Sequence, residues 1–155
     1  MFAWARSADP IQPLTSGVWD AGNWGSDADL KPVEAIQLGQ SDIITFHSYE
    51  VADEWERRAA ALARYFRPIL CTEYMGRSKG STVQTILPRA KKLGVGAMNW
   101  GLVAGKTQTY FPWDSWQHPY TEMPNPWFHD LMTADGQPFD AEETRLIQFL
   151  IEGAK

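Results

Sequence analysis

PILCTEYMGRS, residues 68–78, joins the pattern of a buried strand to a single carboxylate. Pro68 ends the helical stretch that precedes it, and three apolar residues follow before Glu73 appears. A carboxylate at the end of a buried strand is unfavourable unless it is paired. The stretch therefore predicts a core strand that presents Glu73 at its carboxyl end.

Three further apolar runs share this pattern, and all four start roughly 26 to 29 residues apart. Helix-like stretches separate them. Alternation of strand and helix at this spacing predicts an α/β fold with four βα units around a parallel sheet. The runs cover residues 13–19, 42–49, 68–74 and 94–100, and the helical stretches cover residues 28–40, 52–66 and 81–94.

Residues 101–139 interrupt this period with a long segment rich in proline and aromatic residues. Loops of this length are usually functional or disordered, and the aromatic content favours an ordered loop. Residues 139–155 then predict a closing helix with Asp140 as its cap. We expect residues 1–155 to form a single domain.

Composition and charge exclude several classes of protein. The chain has 155 residues, of which 44% are hydrophobic and 21% charged, as in a folded globular domain. The net charge of −5 and the lack of a basic run argue against a nucleic-acid partner. No stretch approaches the ~18 apolar residues of a membrane span, so no membrane association is expected. The first residues lack the pattern of a signal peptide, and the sequence does not predict a cellular compartment.

Two residue types stand out in the composition. Cys71 is the single cysteine, so no internal disulfide and no cysteine-based metal site can form. Eight of the residues are tryptophan, and the aromatic fraction reaches 13%. Tryptophan in such excess either fills the core or forms a surface that stacks on flat apolar ligand faces such as sugar rings.

Polar or amphipathic side chains end all four apolar runs. In parallel α/β folds, ligands bind outside the carboxyl ends of the strands. The pattern predicts a binding site there, although an ion-paired acid, a satisfied core histidine or packing aromatics would give a structural explanation for each residue. Loop residues Glu50 and Asp114 are expected to be solvated, and His118 and His129 to be structural. The residues that end the runs are Trp19, His47, Tyr49, Glu73, Asn99 and Trp100.

Three of these strand ends resemble a known family. HSY (47–49), TEY (72–74) and NW (99–100) resemble the sixth, seventh and eighth strands of the retaining glycoside hydrolases with (β/α)8 barrels, the clan of cellulases, mannanases and β-glycosidases. Residues 4–19 are similar to the helix and strand that form the fifth unit. Residues 126–143 resemble the segment that leads into the final helix of several members.

The resemblance implies a partial TIM barrel, a half barrel of four βα units with a long aromatic loop before the closing helix. It implies that Glu73 is the catalytic nucleophile and that His47 and Tyr49 orient it. Trp100 would form the floor beneath the cleaved sugar. It also implies a β-linked oligo- or polysaccharide substrate, no metal and no cofactor.

The resemblance lacks one essential element. In this clan the general acid/base is a glutamate at the end of the fourth strand, and no such strand is found here. We therefore expect the chain to be the C-terminal half of such an enzyme, as a fragment, a truncated gene model or a decayed copy, and to be inactive alone. Open sheet edges would favour self-association or pairing with a missing N-terminal half.

The aromatic residues of the long loop are candidates for a sugar-binding surface. Trp113 and Trp116 are candidates for sugar stacking, with Tyr110, Phe111 and Tyr120 beside them, although a loop packed on itself explains the same residues. A non-catalytic carbohydrate-binding protein and an unrelated small α/β protein with an open sheet remain alternative hypotheses.

Overall fold

The computed structural model describes residues 1–20 and 22–153, and over these ranges the chain forms a parallel sheet with helices packed against it. The predicted α/β class is confirmed. Within the described residues there are three strands and five α-helices. The strands are β1 (Ile44–His47), β2 (Ile69–Glu73) and β3 (Gly96–Ala97), and the helices are α1 (Phe2–Ser7), α2 (Pro32–Gln40), α3 (Ala52–Leu62), α4 (Val83–Leu93) and α5 (Ala141–Glu152).

The strands lie in the order β1-β2-β3, and both pairings are parallel. Phe46 of β1 lies opposite Cys71 of β2, but the next residue, His47, lies opposite Glu73. The register therefore shifts between Phe46 and His47, and Thr72 is passed over. This irregularity places an imidazole directly beside the carboxylate that ends β2.

The first predicted strand, residues 13–19, is reduced to one parallel bridge between Val18 and Phe46. Side chains take the backbone donors that a longer ladder would need. The N–H of Leu14 donates to the Asp42 carboxylate (2.8 Å), and the N–H of Ser16 donates to the Ser41 hydroxyl (3.0 Å). The segment thus lies along the outer edge of β1 as extended chain, and three of the four predicted strands form in the described residues.

The fourth predicted strand, residues 94–100, shortens to the two residues of β3. A Cβ atom at Gly96 would lie 2.4 Å from the side chain of Leu70, so a larger residue here would require the Leu70 side chain to move. Beyond Ala97, one further bond from the N–H of Met98 to the Cys71 carbonyl (2.8 Å) continues the ladder. Residues 99 and 100 therefore lie in a loop.

The helix boundaries follow the cap residues. Thr82 accepts a hydrogen bond from the N–H of Thr85 and begins α4, while Gly94, with φ of 68°, ends it in the left-handed region. Asp140 accepts from the N–H of Glu142 (2.8 Å) and caps α5 as predicted. No helix of the described residues is long and apolar enough to cross a bilayer.

The core lies between the sheet and helices α2, α3 and α4. Phe46 is at its centre, with ring centroids 6.1 Å from Trp24 and 5.7 Å from Trp55. All three rings are buried. Two of the eight tryptophans therefore fill the core, which leaves others for the surface near the strand ends.

A buried ion pair fixes the aromatic loop and α5 to the segment after β2. Arg77 donates to both carboxylate oxygens of Glu143 (2.8 and 2.5 Å), and both side chains are almost completely buried. Arg77 also donates to the carbonyls of Trp127 (2.9 Å) and Asp130 (3.1 Å). The guanidinium therefore joins the loop, the closing helix and the residues that follow Glu73.

Candidate functional site

Glu73 ends β2 with its carboxylate held on one side. The Tyr49 hydroxyl donates to Oε2 of Glu73 (2.7 Å), and Nδ1 of His47 lies 3.4 Å from the same oxygen. The Glu73 side chain is 22% exposed and that of His47 is 33% exposed. No hydrogen bond to Oε1 is found in the described residues, so this oxygen is available to a ligand.

The Tyr49 hydroxyl is a neutral donor over the whole physiological pH range. Its burial and its hydrogen bond to Glu73 raise the pKa of Tyr49 above the ordinary value. A neutral phenol that donates to a carboxylate favours the ionised form of that carboxylate. The phenol therefore orients the Glu73 carboxylate by donating to Oε2.

The backbone ladder brings these side chains to one edge of the sheet. The N–H of His47 donates to the Val18 carbonyl, and the N–H of Ser48 donates to the Glu73 carbonyl (3.0 Å each). As a result, the residues that follow Val18, β1 and β2 meet at a single level. This alignment brings Trp19, the residue after Val18, to the same edge of the sheet.

A cleft of about 640 Å³ opens above this edge. Five of the predicted substrate contacts line it together with Glu73, and Trp19 and Trp116 are the most exposed of them, at 71% and 84%. The remaining lining residues had been assigned no ligand contact from the sequence. The full lining is Trp19, His47, Ser48, Tyr49, Glu50, Arg58, Glu73, Lys79, Trp113, Asp114, Trp116 and Gln117.

Asn99 and Trp100 are not among the residues that line this cleft. The side-chain amide of Asn99 donates to the Gly101 carbonyl within its own loop. Trp100 is 52% exposed. Because β3 ends at Ala97, both residues leave the sheet before the level of Glu73, and the structure does not bring them together with the other predicted contacts.

Trp113 forms one wall of the cleft and is held by other rings. Its centroid lies 4.8 Å from that of Tyr49 in an edge-to-face contact and 5.2 Å from that of Phe128. The Lys79 ammonium lies over its face, 4.7 Å from the centroid. Trp113 therefore holds Tyr49 in place, and Lys79 already covers one of its faces.

His129 supports the same wall from within. Nδ1 of His129 lies 2.5 Å from the Met75 carbonyl, and the ring lies 5.5 Å from Tyr49. Burial lowers the pKa of His129, so the imidazole is neutral and Nδ1 donates. The contact fastens the aromatic loop to the segment after Glu73, which agrees with the structural role expected for this residue.

The other aromatic residues of the loop pack mainly on one another. Tyr110 contacts Phe111 (4.8 Å) and Trp127 (5.7 Å), and Phe111 contacts Tyr120 (5.4 Å). These rings do not line the cleft. The self-packed alternative describes them well, whereas Trp113 and Trp116 reach the cleft.

Three charged residues of the cleft were not predicted to contact a ligand. Lys79 and Arg58 had no predicted role, and Glu50 was expected in solvent. Arg58 is buried and lies 3.3 Å from the Glu50 carboxylate. Arg58 lies four residues after Glu54 on α3, and this spacing accounts only for the ion pair between the two side chains (3.0 Å). Contact with the cleft depends on the fold of the aromatic loop, for which the sequence carries no periodic signal.

The described residues contain no group of three or more histidine, cysteine, aspartate or glutamate side chains that could hold a metal ion. No family model matches this sequence, and no curated protein matches it.

Proposed function

We propose that this chain is the nucleophile-bearing half of a retaining β-glycoside hydrolase, with Glu73 as the nucleophile. The observation that supports this best is the Glu73 carboxylate itself. One of its oxygens is held by Tyr49 at 2.7 Å, the other is unoccupied in the described residues, and the group faces a cleft with exposed indole rings.

The arrangement suits attack on an anomeric carbon. Oε1 of Glu73 forms the bond to that carbon while the glycosidic carbon–oxygen bond breaks, and the leaving oxygen takes the electron pair together with a proton from a general acid. Tyr49 donates to Oε2 and His47 lies 3.4 Å from it, and the hydrogen bond from Tyr49 orients the carboxylate. Trp19 and Trp116 offer flat apolar faces for neighbouring sugar rings.

The half-barrel architecture is part of this proposal. The extended segment at Val18 lies parallel to β1, so four parallel segments follow one another in chain order. This is the arrangement expected of four consecutive βα units. The role of Trp100 as the floor beneath the cleaved sugar remains a prediction from the resemblance, because Trp100 does not line the cleft.

The second carboxylate of the mechanism limits what the chain does alone. Retaining hydrolysis needs two carboxyl groups about 5–5.5 Å apart. Glu50 lies 3.3 Å from Arg58, and Asp114 accepts a hydrogen bond from the Tyr120 hydroxyl (3.1 Å). Neither acid occupies the position of the clan's general acid/base, for which the sequence has no strand, so we expect the isolated chain to lack turnover on ordinary glycosides.

Activated fluorosugars test the nucleophile without requiring the acid. With a 2-deoxy-2-fluoro-β-glycosyl fluoride, the carboxylate bonds to the anomeric carbon, the carbon–fluorine bond breaks, and fluoride leaves with the electron pair. A panel with gluco, manno and xylo configurations is incubated with the chain and analysed by peptide mass spectrometry. We expect one sugar on the peptide that contains Glu73.

Matched variants distinguish Glu73 from its neighbours. Glu73→Gln should abolish the adduct, whereas Asp114→Asn and Glu50→Gln should retain it. Labelling of Asp114 or Glu50, or the absence of both an adduct and sugar binding by ligand-observed NMR, would contradict the proposal.

A non-catalytic sugar-binding role is the second candidate. It is favoured by the high exposure of Trp19 and Trp116 in the same cleft. Saturation-transfer NMR that detects oligosaccharide binding, combined with no covalent labelling of Glu73 by any fluorosugar, would select this alternative.

A further inference from the structure

Lys79 stands at a fixed place beside Glu73. It lies in the 3₁₀ turn that follows β2, and its N–H donates to the Gly76 carbonyl (2.9 Å). The N–H of Arg77, in the same turn, donates to the Phe128 carbonyl (3.0 Å) of the aromatic loop. Because these bonds fix the turn, Lys79 has a defined position in the lining of the cleft.

The ring of Trp113 lies between the Lys79 ammonium and Tyr49, the hydrogen-bond donor to Glu73. It packs over Trp113 (4.7 Å), Trp113 contacts the ring of Tyr49 (4.8 Å), and Tyr49 donates to Glu73 (2.7 Å). A sugar attacked by Glu73 would therefore place its neighbouring unit, and not its own anomeric carbon, near the ammonium.

No carboxylate of the described residues lies within ion-pair distance of this ammonium. Each of the three carboxylates of the cleft has a hydrogen-bonding or ion-pairing partner from the chain. Lys79, in contrast, forms no ion pair within 4.0 Å across residues 1–20 and 22–153. Its three donors remain available to an anionic group of a ligand. The carboxylate pairs are Glu73 with Tyr49, Glu50 with Arg58, and Asp114 with Tyr120.

We propose that Lys79 selects acidic sugars, namely glycans that carry a carboxylate or sulfate group on the unit next to the one attacked by Glu73. This inference rests on the proposed function and defines its substrate class. Trp113 holds the ammonium by a cation–π contact, and the open rings of Trp19 and Trp116 take the apolar sugar faces.

Ligand-observed NMR titrations test the selection directly. The probes are the β-methyl glycosides of glucose, galactose and mannose, the matching uronic acids, and the matching 6-sulfates. We expect the chain to bind the charged members about three- to fivefold more tightly than the neutral ones at low salt. The preference should decrease as the salt concentration rises. Uronic acids and sulfates together distinguish the two sources of the negative charge.

Variants assign the effect to one residue. Lys79→Gln should bring the ratio of charged to neutral affinity close to one, and Lys79→Arg should retain it. Lys92→Gln is the control, because Lys92 is exposed on α4 and does not line the cleft. An unchanged ratio in Lys79→Gln, equal affinity for all probes in the unmodified chain, or no binding of any probe would overturn the inference.

The two proposals fail in different ways. Disaccharide fluorosugars in which the unit next to the attacked sugar is either neutral or a uronic acid separate the proposals: if both label Glu73 equally fast, the hydrolase proposal holds and the selection by Lys79 is wrong. If Lys79-dependent binding of charged sugars persists but Glu73 is never labelled, the nucleophile assignment is wrong and the anion recognition stands.

Discussion

Arg77→Leu is expected to cause a large loss of stability, because it leaves Glu143 buried without its counter-charge. The two side chains are 5% and 3% exposed, and the guanidinium makes two bonds to the carboxylate and two to backbone carbonyls. Removing one member of such a pair costs about 3–5 kcal/mol. That is a large share of the ~5–15 kcal/mol that stabilises a typical domain.

Urea unfolding followed by tryptophan fluorescence measures this loss. With a slope of about 2 kcal/mol per molar urea, the midpoint should fall by about 1.5 to 2.5 M. The double variant Arg77→Leu with Glu143→Leu should recover much of the difference, because no charge then remains buried.

An exposed pair on the same helix provides the control. Arg145 and Glu142 form an ion pair with side chains that are 65% and 73% exposed, so Arg145→Gln should change the unfolding free energy by less than about 0.5 kcal/mol. A midpoint shift below about 0.5 M for Arg77→Leu, or a double variant less stable than the single one, would refute the reasoning.

Three further perturbations address the site and the core. Tyr49→Phe removes the 2.7 Å bond to Oε2 and should slow fluorosugar labelling of Glu73 by about tenfold or more; an unchanged rate in stopped time-course mass spectrometry would contradict the assigned role. Trp116→Ala should weaken oligosaccharide binding in titrations without lowering the urea midpoint, whereas Trp4→Ala, equally exposed but outside the cleft lining, should leave binding unchanged. Burial raises the pKa of Cys71 to about 12 from 9.0, so its contribution to stability is complete below pH 9 and is lost as the pH rises towards 12. Over this interval the Cys71→Ala variant should show a shallower decline, by up to about 1.4 kcal/mol per pH unit, and an identical slope would exclude the effect.

The strands were predictable where two apolar runs pair with each other. The run around Cys71 and the run around Phe46 both form strands, since they are neighbours in a parallel ladder. The run at residues 13–19 has the same hydropathy but forms a single bridge. Asp42 and Ser41 hold its backbone N–H groups, and such a tertiary contact leaves no trace in the pattern of a single segment.

The candidate site was predictable where it depends on strand ends. His47, Tyr49 and Glu73 meet because adjacent parallel strands end at one edge, and the sequence carries this information. Lys79 was not identified, because its place in the cleft depends on Trp113, which is distant in the sequence. Trp100 and Asn99 were expected at the same edge, but the short β3 ends before reaching it.

The register shift between Phe46 and His47 makes core packing and site geometry separable properties of one strand. Upstream of the shift, Phe46 lies opposite Cys71, and its ring is buried between two indoles. Downstream, the extra step realigns the imidazole with the carboxylate across the ladder. Removal of the shift would leave Phe46 opposite Cys71 but would place His47 opposite Thr72 instead of Glu73, which would separate the imidazole from the carboxylate.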